Sequence, residues 1–89
     1  MSATAIGELE PRRRATVSGE IRSVVSYELP WIRTDVELGD GTGVVTLRFM
    51  GRAVVPGLTA GRCIVAEGTP GVRDGALVIQ NPLYEFVAG

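Results

Sequence analysis

Trp31-Ile-Arg-Thr-Asp-Val-Glu-Leu38, then Gly39-Asp-Gly-Thr-Gly43, then Val44-Val-Thr-Leu-Arg-Phe-Met50 is the stretch that decides the fold. It reads as two alternating strands joined by a glycine-rich turn. Ile32, Thr34, Val36 and Leu38 fall on one face of the first strand, and Trp31, Arg33, Asp35 and Glu37 on the other. In the second strand Val45, Leu47 and Phe49 alternate with Thr46, Arg48 and Met50. A period of two with one apolar face describes a half-buried antiparallel pair. The reversal needs residues that tolerate positive φ, which the glycines around Asp40 and Thr42 supply.

Outward from this hairpin, the chain of 89 residues has room for one core and one small domain. An apolar content of 45% is that of a folded globule. No run reaches the ~18 consecutive apolar residues of a membrane helix. The N-terminus carries acids early and lacks the basic-then-apolar order of a signal peptide, so a cytoplasmic location is expected. Residues 1–14 hold few large apolar side chains and end in Pro11-Arg12-Arg13-Arg14. They read as a flexible N-terminal tail or one loose helical turn, which leaves 15–89 as the folded domain.

Ala15 to Tyr27 reads as a long first strand. Val17, Gly19 and Ile21 share a face, Gly19 marks a bend, and Val24-Val25 breaks the alternation, which suggests a bulge or a coil across a barrel. After Met50, Pro56, Gly57 and Gly61 leave space for one helical turn, so Val54, Val55 and Leu58 are expected to plug the base of the core. Arg62–Gly68 is the fourth strand and Ala76–Gln80 the fifth, with Leu77 and Ile79 inward. Residues 69–75 form the loop between these strands. Leu83–Val87 finishes extended against the wall. Cys63, the single cysteine, is expected to be a small buried hydrophobe in the fourth strand.

Five strands, the first long and bent, with a short plug turn between strands 3 and 4, describe an all-β, small β-barrel. The ordered set Leu38-Gly-Asp-Gly-Thr-Gly43, Val45-Thr-Leu-Arg-Phe49, Leu58-Thr-Ala-Gly61, Gly68 and Gln80-Asn-Pro-Leu-Tyr-Glu85 resembles nucleic-acid-binding OB-folds of the anticodon-binding type. It is similar in particular to the wedge domain of RecG-type helicases and to small stand-alone OB proteins of actinobacteria. The resemblance spans about residues 15–86 and implies a five-stranded OB-fold Greek-key β-barrel. It also implies binding of single-stranded nucleic acid, with DNA as the expected form, without strong sequence preference. The matching residues are mostly turns and corners, which speak to fold before function.

OB-folds use the outer face of strands 2 and 3 with the flanking loops. Here that face carries Trp31, Arg33, Asp35, Glu37, Thr46, Arg48 and Met50, and the loops add Tyr27, Glu28, Val72, Arg73 and Asp74. Tyr27 and Trp31 offer flat rings for base stacking, and Arg33, Arg48 and Arg73 offer cations for phosphate. These five are the candidate nucleic-acid-binding residues.

A simpler arrangement competes with that reading. A turn centred on Gly41-Thr42 sets Asp35 opposite Arg48 as a cross-strand ion pair, and Arg33 opposite Met50. Residues 15–89 hold six arginines against eight carboxylates, a net of −2, whereas nucleic-acid sites call for a basic patch. A protein-interaction module that uses the same face or a barrel edge to pair with another chain or with itself is therefore the second reading.

Catalysis is not expected. The chain has neither histidine nor lysine to activate Ser18, Ser23 or Ser26. Asp35 and Glu37 beside arginines make a poor oxygen cage for a cation, Asp40 reads as a turn former, and no glycine-rich loop leads into a helix. No metal and no cofactor is expected.

Overall fold

The computed structural model describes residues 3–51 and 55–87. A 3₁₀ turn, Ile6–Glu8, precedes seven strands: β1 (Ala15–Tyr27), β2 (Arg33–Gly39), β3 (Val44–Met50), β4 (Cys63–Gly68), β5 (Pro70–Arg73), β6 (Ala76–Gln80) and β7 (Leu83–Phe86). They form one sheet in the order β5-β6-β3-β2-β1-β4-β7. The all-β class is as expected; the strand count is seven, not five.

The extra strands are β5, which lies within the stretch 69–75 expected as a loop, and β7, which takes up most of the extended segment expected at Leu83–Val87. Thr69 alone separates β4 from β5, and Asn81-Pro82 separates β6 from β7. β5 pairs antiparallel with β6, and β4 with β7, so 63–73 and 76–86 are the two arms of one long kinked hairpin. Because β4 also pairs with β1, and β6 runs parallel to β3, this hairpin brings the sheet round upon itself. The turn of backbone is completed by chain continuity at Thr69, and the hydrogen-bonded ladder does not close.

Asn81 makes the kink. Its φ is +50°, a conformation that asparagine tolerates better than most residues. Its N–H donates to the Arg48 carbonyl at 2.7 Å, and its Oδ1 accepts from the Met50 N–H at 3.0 Å. The β3 edge is thus satisfied beyond the end of β6.

β1 changes partner along its length, pairing with β4 over Ala15–Glu20 and with β2 over Glu20–Tyr27. Gly19 sits at the crossover. A Cβ there would stand 2.5 Å from the Gly39 carbonyl oxygen, so close backbone approach explains this glycine. The bulge falls between Ile21 and Ser23, not at Val24-Val25. Arg22 is the extra residue, and it flips the alternation so that Val24 and Ser26 lie level with inward Val36 and Thr34.

Val36, Leu38, Val45, Leu47, Ile64 and Ile79 are at most 1% exposed and make the centre of the core. Val55 and Leu58 are buried against it as expected; Val54 lies outside the described residues. Leu77 is only partly buried, packed at the margin of the core, whereas Ile79 is fully inward. Cys63, expected inside, is exposed. Alternation from buried Ile64 and Ala66 turns it outward at the start of β4.

The segment ahead of β1 was expected outside the folded domain, yet Ile6 and Leu9 belong to the core. The alternative of one helical turn describes it better. Thr4 N–H donates to Thr16 O at 2.7 Å and Arg12 N–H to Pro70 O at 2.8 Å, so the segment is tied down at both ends. The boundary of the packed domain therefore lies ahead of residue 15.

Candidate nucleic-acid interface

The β2–β3 register pairs Arg33 with Met50, Asp35 with Arg48 and Glu37 with Thr46. Inward Thr34, Val36, Leu38, Val45, Leu47 and Phe49 are buried, so the alternate residues make the outer face. Ile32, expected on the inner face, lies before β2 begins and is half exposed.

Asp35 anchors the middle of the face. Arg48 Nε donates to its Oδ1 at 2.9 Å and Arg48 Nη2 to its Oδ2 at 3.2 Å. A two-pronged charged pair of this kind is stronger than a neutral hydrogen bond. It holds the Arg48 guanidinium more firmly protonated than usual. Hydrogen bonding to Asp35 is the main cause, and the charges of Asp35 and Asp74 and the Tyr27 hydroxyl add to it.

Arg33 is placed differently. Its Nε lies 3.6 Å from Asp35 Oδ2, too far for a good hydrogen bond, and is buried with no hydrogen-bond partner among the described residues. Its guanidinium carbon sits 4.5 Å above the centre of the Tyr27 ring, its neighbour across β1 and β2. The cation–ring contact compensates for the weak ion pair.

Trp31 stands in the β1–β2 loop, 69% exposed. In the same loop Leu29 is 84% exposed, and the Leu29–Pro30 peptide is cis. The structure therefore gathers Tyr27, Trp31 and Arg33 at one end of the face and commits Arg48 to Asp35. Arg73 stays apart: it is exposed in β5, and its Nη1 donates to the Val72 carbonyl at 3.0 Å. With Glu37 exposed beside the Asp35–Arg48 pair, the face is close to neutral.

The opposite end of the hairpin is a closed structure. Asp40 Oδ1 accepts from the Thr42 N–H at 2.9 Å and from the Thr42 hydroxyl at 2.6 Å. Its Oδ2 accepts from the Ile6 N–H at 2.9 Å, and Thr42 Oγ1 accepts from the Gly7 N–H at 2.9 Å. These donors hold the Asp40 carboxyl at about 2, below its ordinary 3.8, the Ile6 N–H being the largest cause. Asp40 is thus a turn former, as its sequence context implies, and also the dock for the N-terminal segment.

A solved structure shares this architecture. The solution NMR structure of the OB domain of a Methanosarcina mazei protein (residues 67–166 there) matches this chain with a TM-score of 0.78. The identity is 20%, and the match covers 100% of this chain and 88% of that one. The chain has an OB fold. No family model and no curated protein sequence matches it. At this identity the likeness fixes the fold and leaves the ligand to the residues of the OB face themselves. Two features of that face escaped sequence reading: the Arg33–Tyr27 stack, which depends on the β1–β2 register beyond the bulge, and the isolation of Arg73. The adjacency of Val25 to Asp35 depends on the same register.

Proposed function

We propose that this OB domain binds single-stranded nucleic acid without strong sequence preference, through the outer face of β2 and β3 and the adjoining loops, and catalyses no reaction. The observation that carries the reading is the group at one end of the face. An exposed indole at Trp31 stands in the loop that joins β1, which ends in Tyr27, to β2, whose first residue Arg33 caps the Tyr27 ring. Successive bases stack on such surfaces for roughly 1–3 kcal/mol each, with little regard to base identity. The sequence resemblance to helicase wedge domains points the same way.

The neutral face limits the electrostatic contribution, because Arg48 is neutralised by Asp35 and phosphate contacts ordinarily supply most of the affinity. Weak, salt-sensitive binding is expected. Anisotropy of a labelled single-stranded oligonucleotide titrated with the protein, at low and moderate salt, tests it. Trp31 is the only tryptophan, so quenching of its emission should accompany binding. Absence of binding at low salt overturns the proposal.

A protein partner is the second reading. It is favoured by Leu29, Trp31 and Ile32, which are exposed together in the β1–β2 loop.

A further inference from the structure

We infer that Arg12 and Arg73 form a two-arginine phosphate clamp on the outer edge of β5, which takes the backbone of a single strand lying across the OB face. This rests on the nucleic-acid reading and names the cations that carry its salt dependence.

The other described arginines are engaged. Arg13 is paired with Glu10, Arg14 with Glu67, and Arg33 and Arg48 with Asp35. Arg62 lies over the Phe86 ring at 4.3 Å, and the Arg22 guanidinium lies against Gly39. Arg12 and Arg73 remain. Both are exposed, and neither has a carboxylate or a ring as partner among the described residues. Asp74, next to Arg73 in the turn, makes no ion pair with it.

The fold brings these two cations to one edge. β5 ends the sheet, with β6 as its strand neighbour. On its other side the Arg12 N–H donates to Pro70 O at 2.8 Å. Alternate residues of a strand turn their backbone groups to the same edge, so the Val72 carbonyl faces the same way. Arg73 folds back to that carbonyl, its Nη1 donating at 3.0 Å. Gly71 leaves the path open, since a Cβ there would lie 3.4 Å from Arg73 Nη1. Residues 70 and 72 are about 7 Å apart along a strand, so the Arg73 guanidinium lies beside the point where Arg12 is fastened. Arg12 holds φ at +66°, an uncommon conformation for a residue with a side chain, and such strain collects at binding sites.

The clamp shares a face with the stacking group. Register carries the outer face from Glu37 to Thr46, Val78 and Gly71, across β2, β3, β6 and β5. Arg73 is two residues beyond Gly71 and so on the same side. Trp31, just ahead of β2, stands at the opposite margin. A strand crossing diagonally stacks bases at the Trp31 margin and meets two guanidiniums at the β5 margin. Their forked donors suit phosphate. The middle of the face, where Asp35 holds Arg48, then needs no phosphate contact.

The test is the salt dependence of binding by the full chain, read by anisotropy of a labelled oligothymidylate. Log affinity falls against log salt with a slope of about 0.7 for each single-strand phosphate neutralised. Arg12→Gln and Arg73→Gln should each make the slope shallower by about 0.7, and the double variant by about 1.4. Gln at 12 keeps the N–H that bonds Pro70. Gly71→Val keeps every charge but obstructs the fold-back, and should act as Arg73→Gln does. Arg13→Gln removes the same charge from a residue paired with Glu10 and should leave the slope unchanged. Trp31→Ala should lower affinity at constant slope. Wild-type binding whose slope is indifferent to Arg12→Gln and Arg73→Gln overturns the clamp and leaves the stacking reading standing. A slope lowered equally by Arg13→Gln also overturns it, because general charge would then suffice. No binding by the wild type at low salt overturns both.

Discussion

The two hairpin ends of β2 differ in how their polar groups and apolar surface are used. At the Gly39–Gly43 end, Asp40 and Thr42 take up backbone donors from the turn and from the N-terminal segment, and Ile6 is buried beside them. At the Glu28–Ile32 end, Leu29, Trp31 and Ile32 are exposed, and among the described residues it is Arg33 that stacks on Tyr27. One end consumes its chemistry within the fold, while the other presents it outward. Residues of the second kind contribute little to stability, which makes them the place to look for a ligand.

The largest effect that tests this contrast is expected at Ile6, which is 2% exposed. Ile6→Ala should cost about 2–5 kcal/mol, the range for truncating a buried aliphatic side chain. Chemical denaturation measures it. A loss below about 0.5 kcal/mol, the scale of surface substitutions, would return residues 3–14 to the status of a tail and dissolve the contrast at the closed end.

Sequence alone made the β2–β3 hairpin legible because a strict period of two and a tight turn leave one register. The Asp35–Arg48 and Arg33–Met50 pairs both follow from it. Long-range packing was less legible. Ile6 and Leu9 are two apolar residues in a polar, arginine-rich stretch, and no local pattern says that they reach a core some 35 residues away in sequence. β5 was not legible either, because Thr69-Pro-Gly-Val-Arg-Asp-Gly75 carries the composition of a loop although Pro70–Arg73 pairs with β6. Cys63 was misread because apolar character was given more weight than its place in the alternation. At the candidate site the residue types and the Asp35–Arg48 pair were legible, but the Tyr27–Arg33 stack depends on the β1–β2 register beyond the bulge, and the bond from Arg73 to the Val72 carbonyl on the local turn of β5.

An intermediate effect belongs to Asp40. Its carboxyl titrates at about 2 in the folded protein against an ordinary 3.8, so the folded state favours the charged form. A depressed carboxylate contributes stability that is fully present above the unfolded value and is lost as pH falls through the folded one. Wild-type stability should therefore decline between about pH 4 and pH 2 more steeply than that of Asp40→Ala. The difference between the two denaturation profiles isolates this group from the other carboxylates. Parallel profiles would mean that the Ile6 N–H and Thr42 contacts do not discriminate between its charge states.

The smallest effect on stability is expected at Trp31, and its smallness sharpens the contrast. The side chain is 69% exposed in a loop, so Trp31→Ala should change unfolding free energy by no more than about 0.5 kcal/mol. Loss of one stacked base should nevertheless weaken single-stranded oligonucleotide binding by roughly 1–3 kcal/mol, which is about five-fold to more than a hundred-fold in affinity. Tyr27→Ala is a less clean probe, because it also removes the ring beneath Arg33 and leaves a guanidinium with a 3.6 Å contact to Asp35. Unchanged affinity in Trp31→Ala, with oligonucleotide binding intact in the wild type, removes the indole from the site and shifts the interface toward Arg48 and the β5–β6 turn. Unchanged stability with weakened binding would establish that this end of the hairpin is kept for a partner and not for the fold.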